Sequence, residues 1–258
     1  MSVILETRNL TKCFGGVTAV SDLDLAVNEG EIFGLIGPNG AGKTTVFSMI
    51  SGFQKPTRGD IVFEGRSLVG LPAWGVGRRG VARLFQHSVS FSNISVLENV
   101  IVGFHRNRRA GLAASVFGTK RARIEEDGFK KQAAEIVRFV GLESLQDERA
   151  NNLSHGHQRL LSVATTLATQ PRLLLLDEPV TGMNPSELKE MVGIIRAIRE
   201  RGITIMLVEH HMKVVMDLCD RIAVLNYGHR IAEGEPADVC EDPEVCQAYL
   251  GKGTFNVA

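Results

Sequence analysis

Apolar and polar residues alternate at Ile4 to Leu10 and again at Leu23 to Val27, which predicts two strands near the start of the chain. The unbroken apolar run Ile32 to Ile36 predicts a third strand, buried on both faces, that runs directly into glycines. Further runs of strand length, Leu173 to Leu176, Ile203 to Val208 and Ile222 to Leu225, lie between segments with helical spacing. Strands alternating with helices predict an α/β architecture around a largely parallel, buried sheet.

The helix signals are local and specific. Asn184-Pro185-Ser186-Glu187 offers an N-cap, a proline at the first helical position and a glutamate placed to reach back. Leu188, Met191, Val192, Ile195 and Ile198 then share one face until Gly202 ends the helix. Between about residues 87 and 162 the strand patterns vanish, and Phe129, Ala133, Ile136, Val137 and Val140 mark an amphipathic helix stopped by Gly141. The expected organisation is one domain over residues 1–258, with an α/β core at 1–86 and 163–258 and a helical insertion at 87–162.

Composition narrows the function classes. With 44% hydrophobic and 22% charged residues over 258 positions, the chain can bury a sizeable core, and disordered or collagen-like classes are excluded. The 29 basic side chains balance 29 acidic ones, so no overall charge attracts nucleic acid or an anionic membrane. No apolar run approaches bilayer length and no secretory signal is visible at the start, so a membrane role has to come through a protein partner. Cys13, Cys219, Cys240 and Cys246 form neither a CxxC pair nor a metal-ligand spacing and are expected to be reduced thiols in a cytosolic protein.

Two segments carry chemistry. Gly37-Pro38-Asn39-Gly40-Ala41-Gly42-Lys43-Thr44 fits the phosphate-binding pattern GxxxxGK[ST], between a strand and an expected helix. Its glycines let the backbone curl until N–H groups point at phosphates, Lys43 adds a full charge, and the Thr44 hydroxyl is placed to ligate Mg²⁺. Arg172-Leu173-Leu174-Leu175-Leu176-Asp177-Glu178-Pro179 is a buried strand that delivers two carboxylates at its carboxyl end, where ligands bind in such sheets. Asp177 can orient a magnesium ion through its water, and Glu178 can polarise the water that attacks a γ phosphate.

With these motifs the chain resembles the ATP-binding cassette ATPases. Leu153-Ser154-His155-Gly156-His157-Gln158-Arg159 is similar to the family signature, which most often reads LSGGQ. Gln86 matches the glutamine loop, His210 in Leu207-Val208-Glu209-His210 the switch histidine, and Phe14 the aromatic that stacks on adenine. The family order holds along nearly the whole chain. The resemblance implies a P-loop core with an N-terminal antiparallel β subdomain and an inserted helical subdomain carrying the signature. It also implies ATP and Mg²⁺ as ligands, with ATP held by Phe14, Val20, the loop from Gly37 to Thr44, and Thr45. Glu178, His210 and Gln86 would be catalytic, and Thr44, Gln86 and Asp177 would serve the metal. Ser154, His155, Gly156 and His157, at the start of a helix from about His157, would face the ATP of a second subunit, so the chain must dimerise to work.

Within the family, Gly182-Met183-Asn184-Pro185 and Phe14-Gly15-Gly16-Val17-Thr18-Ala19-Val20 resemble the subunits that energise branched-chain amino acid uptake. So do Val208-Glu209-His210-His211-Met212, Val215 to Arg221, and the ending Ala248-Tyr249-Leu250-Gly251. This resemblance implies a peripheral subunit on the inner face of the cell membrane. Its partners would be a second, often different, ATPase, two permeases and, indirectly, an extracytoplasmic binding protein. The rival expectations are a soluble cassette of iron-sulfur cluster assembly and the ATPase of lipopolysaccharide export. His155 and His157 depart from the usual glycine or aromatic and glutamine, and His211 stands where the subgroup usually has aspartate. Arg106, Arg108, Arg109, Lys120, Arg121 and Arg123 form an acid-free basic stretch suited to a solvated face or to acidic groups of a permease; it lacks the aromatic interleaving of a nucleic-acid site.

Overall fold

The computed structural model describes residues 2–85, 91–104 and 120–250. It opens with a hairpin of β1 (Val3–Phe14) and β2 (Val17–Asn28), each longer than the alternating stretch that predicts it. The ladder between them changes register after Thr7 and again after Leu10, while Asn9 and Asp22 take φ of 48° and 45°. Each irregularity moves side chains to the other face, so strict alternation is lost although pairing continues.

Then come β3 (Ile32–Ile36), α1 (Lys43–Ile50), β4 (Arg58–Phe63), β5 (Arg66–Ser67), α2 (Ala73–Arg79) and β6 (Val81–Leu84). The next described elements are α3 (Val96–Gly103), α4 (Lys120–Phe139) and α5 (His155–Leu167). The chain continues with β7 (Leu173–Asp177), α6 (Pro185–Glu200), β8 (Thr204–Val208), α7 (Met212–Leu218), β9 (Arg221–Asn226) and β10 (His229–Gly234). It ends with α8 (Pro236–Glu241) and α9 (Pro243–Leu250).

The strands form a four-stranded sheet in the order β2-β1-β4-β5 and a six-stranded sheet in the order β10-β9-β3-β8-β7-β6. In the larger sheet β3 runs parallel to β8 and β9, and β7 runs parallel to β8; β10 pairs antiparallel with β9. Every residue of β3, β7 and β8 is buried, which is why these strands read as continuous apolar runs. The short strands β4, β5, β6 and β10 lack such runs and are legible only once their partners are in place.

The chain divides into two compact units, one of Met1–Arg83, Arg172–Thr181 and Ile195–Ala258, the other of Leu84–Pro171 and Gly182–Ile194. The first holds both sheets around Leu10, Phe33, Leu35, Phe47, Ile50, Phe63, Leu175 and Met206. Phe33 and Phe47 are wholly buried, each such side chain contributing roughly 1.5–3 kcal/mol of burial.

The second unit is helical among its described residues. Ser95 caps α3 in a reciprocal box: its hydroxyl accepts from the Glu98 N–H at 3.2 Å and the Glu98 carboxylate accepts from the Ser95 N–H at 2.8 Å. Phe104 and Phe129 stack with centroids 5.2 Å apart, joining α3 to α4. The expected cap of α6 is present: Asn184 Oδ1 accepts from the Ser186 and Glu187 N–H groups at 2.9 and 3.0 Å, and Glu187 reaches back to the Asn184 N–H at 3.0 Å. Among the described residues no helix is long and apolar enough to cross a membrane.

Gly34, in the middle of β3, is required by packing. A Cβ there would lie 2.8 Å from Ile222 Cγ2 and 2.9 Å from Cys219 Sγ. Gly34→Val is expected to lower stability by about 1–3 kcal/mol through overpacking, read as a fall in the urea midpoint with an unchanged slope.

Candidate functional site

The loop between β3 and α1 is built against backbone. Gly37 has φ of 146° and a Cβ there would sit 2.1 Å from the Leu225 carbonyl oxygen of β9. Gly42 has φ of 105° and a Cβ there would sit 2.4 Å from the Ala19 carbonyl oxygen of β2. Only glycine meets both demands. Ala41 is buried, Asn39 and Gly40 are exposed, and Pro38 and Thr45 are half-buried. Val20 is wholly buried beside Gly42, behind the loop. Phe14, at the hairpin tip, is 46% exposed, and Lys12 Nζ lies 4.9 Å from its ring centroid. An exposed ring is open to stack on a flat base.

Lys43 opens α1 and is only 8% exposed. Its Nζ donates to the carbonyls of Gly37 at 2.7 Å and Pro38 at 3.0 Å, folding the loop around the ammonium. Burial pushes its pKa below the ordinary lysine value, opposed by the charges of Glu178 and Asp177. Thr44 is exposed, and its carbonyl accepts from the Ser48 hydroxyl at 2.7 Å. From the far end of the chain, Tyr249 on α9 is buried and hydrogen-bonds the Gly37 backbone; burial raises its pKa.

β7 delivers the carboxylates. Asp177 ends the strand and its Oδ2 accepts from Arg83 Nη2 at 2.7 Å in a nearly buried pair. Glu178 leaves the strand with φ of 49°, a left-handed backbone that is uncommon outside glycine and asparagine. Such strain costs on the order of 1–3 kcal/mol and clusters at functional positions. The Glu178 N–H is held by the Val208 carbonyl at 2.9 Å, Thr181 Oγ1 donates to its Oε2 at 3.3 Å, and His210 Nδ1 stands 3.8 Å from Oε1. The structure thus brings His210, predicted from the end of β8, to Glu178, predicted from the end of β7.

Glu209, quoted in the sequence only as part of a motif, is the brace of this corner. It is fully buried; its carboxylate accepts from the N–H groups of Val180 at 3.3 Å, His210 at 3.0 Å and His211 at 3.3 Å. Glu209, His210 and His211 bring ligand atoms within 4.8 Å of one another. With both Glu209 oxygens engaged by the backbone, the cluster is better suited to orienting the histidines than to holding a metal. The rings of His210 and His211 lie 4.7 Å apart, tilted by 40°. Arg83 likewise gives no signal in the sequence, because a single arginine in a short strand carries no pattern.

Gln86 and the basic stretch Arg106, Arg108 and Arg109 lie outside the described residues, as do the side chains of Lys120, Arg121 and Arg123. The signature residues belong to the second unit. Its helix begins at His155, two residues before the expected start, because Ser154 is the N-cap: its hydroxyl accepts from the His157 N–H at 3.2 Å. Gly156 is buried, and a Cβ there would meet Glu187 Oε1 at 2.4 Å. His155 is exposed and His157 half-buried. Burial pushes the Cys219 thiol up to about 12, which suits packing and not thiolate chemistry.

Residues 20–181 match the ABC transporter family model, and residues 229–254 match the model for branched-chain amino acid ATP-binding cassette transporters. The chain is 42% identical to the high-affinity branched-chain amino acid transport ATP-binding protein LivG of Salmonella typhimurium, over 96% of this chain and 98% of that one. It is 33% identical to the lipopolysaccharide export ATP-binding protein LptB of Escherichia coli over 96% of this chain and 97% of that one. Among solved structures, the ADP conformation of MJ1267, an ATP-binding cassette of an ABC transporter, superposes with a TM-score of 0.85 at 31% identity, covering 98% of this chain and 100% of that one.

Glu209→Ala would strip three backbone donors of their acceptor. It is expected to cost about 1–3 kcal/mol for each donor left dry, with Glu209→Gln milder because an amide oxygen still accepts. Chemical denaturation of both variants reads the difference.

Proposed function

The chain belongs to the ABC transporter ATPases, and from that premise we propose that it is the ATP-hydrolysing subunit of an importer for branched-chain or related amino acids. The observation that carries this reading is the meeting of Glu178 and His210 at the ends of adjacent strands, in the unit that also holds the glycine-bound Lys43 loop. The match of residues 229–254 and the higher identity to LivG favour amino acid import over lipopolysaccharide export.

ATP binds with its adenine on Phe14 and its phosphates in the loop from Gly37 to Thr45. Loop N–H groups and the Lys43 ammonium bind the phosphate oxygens. Glu178, which follows β7 with a left-handed backbone, accepts the proton of the attacking water. His210 holds Glu178 and the γ phosphate in register, itself set by the Glu209 brace. Gln86 senses the nucleotide and passes the change on to the permease.

The oxygen donors of Thr44 and Asp177 fit a hard divalent cation such as Mg²⁺. When bound, that ion would neutralise charge developing on the phosphates. Ser154 and Gly156, with His155 and His157 beside them, complete the ATP site of a second ATPase subunit, so two cassettes enclose two nucleotides. ATP-driven closure moves a pair of permeases, which places the chain as a peripheral subunit on the cytoplasmic face. Solute reaches the permeases from a binding protein that this chain does not touch.

Glu178→Gln is expected to keep nucleotide affinity and to slow single-turnover hydrolysis by at least about a hundredfold, the amide being unable to take the proton. A rate within about threefold of the parent chain in the assembled complex would falsify the role given to Glu178.

Co-purification tests the assembly. The tagged chain should bring down multi-spanning permeases and a second cassette, and its ATPase rate should rise on reconstitution with them. Export subunits or soluble scaffold proteins in their place would sink the importer reading, as would a full rate from a chain shown monomeric by light scattering.

A further inference from the structure

Arg83 lies on β6 with its side chain 6% exposed, against an Asp177 side chain 10% exposed. Its guanidinium is shared between two elements. Nη2 donates to Asp177 Oδ2 at 2.7 Å, while Nη1 donates to the hydroxyls of Ser48 at 3.1 Å and Ser51 at 3.4 Å on and just after α1. The Ser48 hydroxyl in turn donates to the Thr44 carbonyl at 2.7 Å, and the Ser51 hydroxyl to the Phe47 carbonyl at 2.6 Å. The guanidinium carbon lies 5.8 Å from the centroid of the buried Phe47 ring. A continuous chain of hydrogen bonds therefore runs from Thr44 through Ser48 and Arg83 to Asp177.

We propose that Arg83 is a positioning residue that sets the spacing of Thr44 and Asp177 and so makes their cation site selective for magnesium over larger ions. The inference rests on the assignment of those two residues to the metal under the proposed function.

A guanidinium is a rigid planar fork whose donor directions are fixed, so it transmits position between its partners; an ammonium on a flexible stem does not. The fork is nearly buried and bonded on two sides, which removes the freedom that would let Asp177 follow a larger ion. Mg²⁺ requires near-ideal octahedral geometry, whereas Ca²⁺ accepts more ligands and irregular ones. A braced pair, Thr44 toward the ion and Asp177 toward its bound water, favours the former, and a loosened pair loses that preference. Groups of this kind, one bond removed from the ligands, typically change metal affinity by 10–100-fold when altered. Arg83 is not needed to balance Lys43, whose ammonium is already held by the carbonyls of Gly37 and Pro38.

The test uses the full chain, with Arg83→Met, Arg83→Lys and Asp177→Asn variants, and a fluorescent ADP analogue as the probe. Its affinity is titrated first in EDTA and then against Mg²⁺ and Ca²⁺ separately. In Arg83→Met the half-effective Mg²⁺ concentration should rise about tenfold or more, while the Ca²⁺ value and the metal-free affinity each move by less than about threefold. Arg83→Lys should fall between. Thermal unfolding checks that each variant is folded; if the Met variant is not, the Lys variant decides, with a Mg²⁺ shift of at least about threefold expected and no matching Ca²⁺ shift. Equal shifts for the two ions, or none for Mg²⁺ while Asp177→Asn does shift it, would overturn the role of Arg83. If Asp177→Asn leaves the Mg²⁺ dependence unchanged, the metal assignment itself fails and the inference falls with it.

Discussion

A lysine ammonium 8% exposed has to be surrounded by acceptors, and the first unit is arranged around meeting that demand for Lys43. Two carbonyls of its own loop accept its hydrogen bonds, which forces the loop into a tight curl. The curl presses Gly37 onto the β9 backbone and Gly42 onto that of β2, leaving no space for a side chain at either position. The strands that flank the loop are thereby committed as well. β3 has to be central and buried, so that the loop leaves from the interior of the sheet with β9 on one side and β8, then β7, on the other.

Charge balance extends the same constraint to the ends of β7 and β8. The carboxylates of Asp177 and Glu178 raise the lysine's affinity for its proton against the effect of burial. Each is itself held: Asp177 by Arg83, and Glu178 by Thr181 and, more distantly, by His210. Behind them Glu209 spends its whole carboxylate on backbone N–H groups, so the histidines stand on a fixed support. Among the described residues, Lys43, Asp177, Glu178 and Glu209 are thus each oriented by other polar groups. Such an arrangement suits phosphoryl transfer, where catalysis is mostly positioning and electrostatics.

The second unit uses different means to present its motif. Ser154 caps α5, and buried Gly156 leaves room for Glu187, whose other oxygen closes the cap of α6. A side chain at Gly156 would displace a cap of α6, so the small residue has a structural cause within this unit alone. His155 and His157 flank it without entering the core, which is why these departures from the family pattern are compatible with the fold.

Much of this was legible in the chain by itself. Strict burial makes β3, β7 and β8 continuous apolar runs; a glycine-rich turn followed by lysine and threonine has one common use; and Asn184-Pro185-Ser186-Glu187 specifies a helix start through bonds among its own atoms. These features depend on neighbours in sequence, so sequence carries them. What only the tertiary structure decided depends on contacts between distant segments. The short strands β4, β5, β6 and β10 exist because longer strands offer them an edge, and β1 and β2 run past their apolar alternation because bulged pairing continues across the register shifts. Arg83 meets Asp177 across 94 positions, and Val180 meets Glu209 across 29. Arg83 belongs to no local pattern, and the motifs that contain Glu209 give it no role, since the partners that give each its role arrive only when β6, β7 and β8 assemble.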